Sequence, residues 1–155
     1  SILDCFATPK PEVLDAVAEL REMGVPIGST TGYTDAMMAV VAPAAAAQGY
    51  APDCTVTPDA VGGKGRPYPY MVFRNMRELG AASVSEVAKV GDTVSDIEEG
   101  KAAGVFTVTQ EEFEALAVYE RAAACARVAA TFRAAGADAV IATMAELPRL
   151  IRQLS

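Results

Sequence analysis

The sequence predicts an α/β fold with a doubly wound parallel sheet, on three observations. Short valine-rich apolar runs alternate with longer helical segments along the chain, the pattern of βαβ units. Gly24, Gly49, Gly80, Gly104 and Gly136 each follow a helical segment, where glycine commonly ends one. The 155 residues amount to one domain, and 52% of them are hydrophobic, much of that alanine, which suits packed helices and argues against disorder.

In chain order, Pro9 to Met23 reads as a helix, with Pro11 near its start and Val13, Leu14, Val17 and Leu20 on one stripe. Val25 to Ser29 follows as a short buried strand. Thr34-Asp35 opens a helix to about Gln48, in which Pro43 should cause a kink or an early end. Cys54 to Thr57 is a second strand, and Pro58 to Arg66 a glycine-rich loop. A helix from Pro69 to Leu79 precedes the strand Val87 to Val90. Asp96 to Ala103 is helical, Val105 to Val108 a strand, and Glu111 to Ala135 strongly helical. Ala139 to Ile141 is the last strand, and Met144 to Leu154 the last helix. There is no internal repeat, and the alanine-rich stretches are helix interiors rather than linkers.

The net charge of −7, with no basic cluster, argues against a nucleic-acid partner. Apolar runs fall short of a bilayer span and the amino terminus has no signal-peptide pattern, so a soluble, cytoplasmic protein with no membrane partner is expected. Cys5, Cys54 and Cys125 are widely spaced and suggest reduced thiols. Histidine is absent, which excludes His-based zinc sites, Ser-His-Asp triads and histidine general bases.

Chemistry-bearing residues cluster at the predicted strand ends. Lys89-Val90-Gly91-Asp92-Thr93-Val94-Ser95-Asp96 runs from a strand through a glycine turn towards a helix. Asp92 and Asp96 then fall on one side of the turn, and a cation such as Mg²⁺ would relieve their repulsion. A turn aspartate followed by a helix N-cap is the plainer alternative. Ser29-Thr30-Thr31-Gly32-Tyr33-Thr34 offers hydroxyls and free N–H groups before a helix, either an anion site or a capped turn. In Gly65-Arg66-Pro67-Tyr68-Pro69-Tyr70, Arg66 is placed for bidentate contact with phosphate, or is simply solvated. Together they describe a phosphate-plus-Mg²⁺ site more specifically than any one stretch does.

In order and spacing, S-T-T-G-Y-T, G-R-P-Y-P and K-V-G-D-T-V-S-D closely resemble the phosphonoacetaldehyde hydrolase family of the haloacid dehalogenase superfamily, over nearly the whole chain. The resemblance implies a Rossmannoid core and Mg²⁺-dependent cleavage of the carbon–phosphorus bond of phosphonoacetaldehyde, a small-molecule phosphonate, to acetaldehyde and phosphate. It further implies an aspartate nucleophile, a cap-domain lysine that forms a Schiff base, and a homodimer. By position, Thr31 would bind phosphoryl oxygens with Gly32 and Tyr33 shaping the same turn, Arg66 would neutralise phosphoryl charge, and Asp92 would ligand Mg²⁺. Asp96 would support the metal directly or through water, with Thr93 beside it. The family's D-x-A-G-T strand and its helical cap have no counterpart in these residues, so residues 1–155 are expected to form part of one core domain that lacks its first strand and cap. The resemblance puts that strand at the sheet centre, between the strands at Val25 and Val87.

Two smaller departures stand out. The Val61-Gly62-Gly63-Lys64-Gly65 loop is slightly long, which makes Lys64 a rival to Arg66. The family's longer loop after Val108 leads us to expect missing residues between Thr109 and Gln110. Alternative readings are another superfamily phosphatase or phosphomutase, and a non-catalytic phosphate-binding module.

Overall fold

The computed structural model describes residues 9–110 and 128–155. Helix α1 spans Pro11–Glu22 and leads to strand β1, Gly28–Thr30. Helix α2, Asp35–Ala47, is followed by β2, Cys54–Val56, and a 3-10 turn at Pro58–Val61. Helix α3, Tyr70–Leu79, precedes β3, Ala88–Gly91, and helix α4, Val94–Ala103, precedes β4, Phe106–Gln110. Residues 128–135 are helical (α5). Strand β5, Ala139–Ile141, and helix α6, Leu147–Leu154, complete the described chain.

All strand pairs are parallel, as βαβ connections require. β1 pairs with β2 in the register Gly28↔Cys54 to Thr30↔Val56. β4 lies between β3 and β5, with Ala88↔Phe106 and Val108↔Ala139 opening the two ladders. The described strands therefore form two sheets, β1–β2 and β3–β4–β5, with no ladder between β1 and β3. Helices cover both faces. On one face Ala16 and Leu20 of α1 and Leu147 of α6 pack against Val108 and Ile141. On the other, Val72 of α3 packs with Ala103 and Val105 at the end of α4.

Several boundaries differ from the sequence reading for local reasons. β1 starts at Gly28 rather than Val25, because Pro26 has no N–H and the Ile27 amide donates to the Asp53 carboxylate at 2.8 Å instead of to a strand. Pro43 does not shorten α2, which runs to Ala47 with the proline ring on its exposed side. α4 begins two residues before Asp96. Thr93 is its N-cap, and its hydroxyl accepts from the Asp96 amide at 3.2 Å. β4 runs past Val108, since Thr109 and Gln110 pair with Val140 and Ile141. Thr109 and Gln110, between which missing residues are expected from the family's longer loop, are successive residues of this strand. Most of the helix expected over 111–135 lies outside the described residues, as do Cys5 and Cys125. Cys54 is a free, half-buried thiol whose burial raises its pKa.

Candidate active site

The carboxyl ends of β1, β2 and β3 deliver the residues singled out in the sequence to one place. After β1 the chain turns through Thr31, Gly32 and Tyr33 into the N-cap of α2 at Thr34. Thr31 and Tyr33 are half-buried, and the Thr31 hydroxyl accepts the Tyr33 amide at 3.1 Å, which tightens the turn. Arg66 comes from the loop after β2. Its Nη2 donates to the Thr30 carbonyl at 3.1 Å, and its Nη1 lies 3.0 Å from Asp96 Oδ1. Lys64, in the same loop, is exposed, its ammonium 5.9 Å above the Tyr70 ring.

Asp92 is exposed directly after β3, whereas Asp96 is buried one helical turn later. Gly91 permits this turn: a Cβ there would sit 2.3 Å from Asp96 Cβ and Cγ, so any side chain would collide with the buried aspartate. Asp96 Oδ2 takes the Thr93 hydroxyl at 2.7 Å, and Oδ1 takes Lys89 Nζ at 3.1 Å as well as Arg66. Burial pushes the Asp96 carboxyl up, but the Lys89 ammonium, the Thr93 hydrogen bond and the Arg66 guanidinium outweigh it, and the pKa falls below the ordinary value.

Two members of this cluster were not proposed as site residues on sequence. Lys89 projects from β3 with its Nζ 2.9 Å from Glu99 Oε2 and 2.8 Å from Thr30 Oγ1. Glu99, on α4, is fully buried, and its Oε2 also accepts from Thr30 Oγ1 at 2.9 Å. The available signals were a lysine inside an otherwise apolar strand, and a glutamate three residues after Asp96 on the same helical face. Two cations and two carboxylates thus meet between unpaired β1 and β3. Each ion there has a counter-ion, which burial of charge requires.

A cleft of about 910 Å³ runs between β1 and β3. Apolar residues such as Ile27, Val72 and Leu147 line it, together with Thr30, Arg66, Lys89, Asp92 and Asp96. Among the described residues no three His, Cys, Asp or Glu side chains gather as a metal site. The exposed Asp92 carboxylate nevertheless suits Mg²⁺, which binds through one or two carboxylates with water and phosphate as further ligands. Asp96 is already engaged by Lys89, Arg66 and Thr93, which leaves it better placed to act on such an ion through water.

A parallel α/β fold carrying acidic and basic groups at its strand ends is the architecture of the haloacid dehalogenase-like hydrolases, and this chain belongs to that family, whose model matches residues 2–104. Within it, the chain is similar to phosphonoacetaldehyde hydrolases. It is 47% identical over 164 residues to that of Lysinibacillus sphaericus, covering 99% of this chain and 61% of the relative. Against a Bacillus cereus phosphonoacetaldehyde hydrolase it is 45% identical over 165 residues, covering 99% and 62%. A solved structure of a phosphonoacetaldehyde hydrolase-like protein from Oleispira antarctica superposes with a TM-score of 0.84 at 32% identity, over 94% of this chain and 56% of that one. The chain thus spans 61% and 62% of the length of these two phosphonoacetaldehyde hydrolases. The 164-residue alignment is longer than the 155-residue chain, so the relative carries residues within it that this chain does not.

Proposed function

We propose that the protein carrying this chain hydrolyses the carbon–phosphorus bond of phosphonoacetaldehyde, releasing acetaldehyde and phosphate. The observation that carries this reading is Arg66, which bonds at once to the end of β1 and to Asp96 on α4 and so draws three strand-end segments together. Its side chain keeps 23% of its surface exposed beside the cleft, where a phosphoryl group would meet it. The names of the relatives at 45–47% identity supply the substrate class.

In this proposal Thr31 binds phosphoryl oxygens through its hydroxyl and the turn amides, with Gly32 and Tyr33 shaping the turn. Arg66 neutralises charge on the phosphoryl group as the bond breaks, the role that preorganised cations play in such transfers. Asp92 holds Mg²⁺, with Asp96 supporting it. Bound there, Mg²⁺ would supply Lewis-acid stabilisation of the phosphoryl oxygens. The aspartate nucleophile and the Schiff-base lysine would come from segments beyond these residues, with the nucleophile strand entering the cleft between β1 and β3. A homodimer in the cytoplasm completes the proposal, on the family resemblance alone.

The test is release of acetaldehyde and phosphate from phosphonoacetaldehyde by the full-length protein with Mg²⁺. Faster turnover of ordinary phosphomonoesters would replace this reading by a phosphatase or phosphomutase, and no turnover of either class by a phosphate-binding module.

A further inference from the structure

Glu99 differs from the other charged members of the cluster. Arg66 and Lys89 keep 23% and 11% of their side chains exposed and line the cleft with Asp96, whereas Glu99 is fully buried behind them. Its Oε2 accepts from Thr30 Oγ1 at 2.9 Å and from Lys89 Nζ at 2.9 Å, and lies 3.7 Å from Arg66 Nε. Its Oε1 has no hydrogen-bond partner. A buried carboxylate is expensive to desolvate, and well-packed apolar residues often replace buried ion pairs without loss of stability. Stability is therefore a poor reason for a glutamate here.

We propose that Glu99 is a positioning residue, which holds Arg66 and Lys89 from behind so that their open faces point into the cleft at an anionic phosphoryl group. Thr30 belongs to β1 and Lys89 to β3, two strands without a shared ladder, and Glu99 Oε2 joins them. Asp96 shares both cations but stands at the cleft wall, so it cannot fix their depth alone. Without the Glu99 charge, Arg66 keeps only its two Nη contacts, and Lys89 loses the shorter of its two ion pairs. The inference rests on the phosphoryl-binding reading above, which assigns no role to Glu99.

The experiment is a double-mutant cycle on the affinity of the full-length protein for inorganic phosphate, read by calorimetry. Glu99→Gln should weaken phosphate binding about tenfold when Arg66 is present and by a smaller factor, about threefold, in an Arg66→Ala background, where only Lys89 is left for Glu99 to position. An equal loss in both backgrounds would mean a merely structural role and overturns the proposal, as does no loss in either. If Glu99→Gln does not fold, Glu99→Asp keeps the charge one methylene shorter, and the same coupling is expected. If the unmutated protein does not bind phosphate, the phosphoryl-binding reading fails by itself. The anchoring is then read from solvent exchange of the Lys89 ammonium by ¹⁵N NMR, expected to be about tenfold faster in Glu99→Gln than in the wild type because its 2.9 Å ion pair with Glu99 Oε2 is lost. Unchanged exchange would overturn it.

Discussion

At the scale of single residues, Arg66 and Lys64 share a loop but not an environment. Arg66 is held through planar contacts to the Thr30 carbonyl and Asp96, which an ammonium cannot reproduce. Arg66→Lys should therefore lower turnover by on the order of a hundredfold despite keeping the charge. Lys64→Ala, which removes an exposed ammonium near Tyr70, should change it by about twofold or less. Steady-state kinetics on the two variants checks the ranking, and the reverse order would give the role to Lys64. For the metal, Asp92→Asn should raise the Mg²⁺ concentration for half-maximal activity at least about tenfold, with partial recovery at high Mg²⁺. An unchanged Mg²⁺ dependence would remove Asp92 from the metal site. Asp96 makes a separate prediction about acid. Its pKa is lower folded than unfolded, so the unfolded chain binds its proton more readily. The stability this group contributes is thus complete above the unfolded value of about 3.9 and is lost as pH falls through the folded value. Melting temperatures followed below pH 4 should drop less steeply for Asp96→Asn than for the wild type. Parallel curves would show that Asp96 is not a source of acid lability.

At the scale of elements, α4 is seated by two glycines. Gly91 makes room for Asp96, and Gly100 lets the helix approach β4 so closely that an added Cβ would lie 2.3 Å from Thr107 Oγ1. Gly100→Ala must push the helix off the strand, against the small gain alanine brings to helix propensity, so a net loss of about 1–3 kcal/mol is expected in urea unfolding. A neutral or stabilising result would show that α4 can shift freely. Such seating also separates what could be read in the sequence from what could not. The strand ends read at Ser29 and Val90 fall one residue short of Thr30 and Gly91, while the N-cap at Thr34 and the helix stops at Gly80 and Gly104 follow from local chemistry and were legible. The start of β1 was not, because the partner of the Ile27 amide is Asp53, 26 residues away. Nor was the length of β4, fixed by pairing with β5, which lies far along the chain. Lys89 and Glu99 escaped as site residues for the same reason. A charge in a strand or on a helix face is ordinarily solvated, and only packing of β1, β3 and α4 shows that these two are buried against each other.

At the scale of the molecule, side chains tie the two sheets together where they face each other. Among the described residues, Thr30, Lys89, Arg66, Asp96 and Glu99 bridge β1 and β3 at their carboxyl ends, while no ladder joins the two strands. Among the described residues β1 and β3 each have one ladder partner, so the other side of each presents backbone groups to the cleft. Unpaired edges of this kind are a liability that folded proteins cover, and backbone polar groups facing an apolar wall need partners. The reading in which a further parallel strand occupies the cleft satisfies both edges at once. It predicts a specific difference in amide hydrogen exchange between two samples. In a chain limited to these 155 residues, the amides of Gly28–Thr30 and Ala88–Gly91 that face the cleft should exchange on the timescale of open edges, while those in the β3–β4 and β4–β5 ladders stay protected. In the full-length protein both sets should be protected alike, with the cleft-facing amides slowed at least about a hundredfold. Slow exchange at both edges in the 155-residue chain would mean that β1 and β3 close on each other without help. The cleft would then be a feature of the described chain alone, and the place for a nucleophile strand would have to be sought elsewhere.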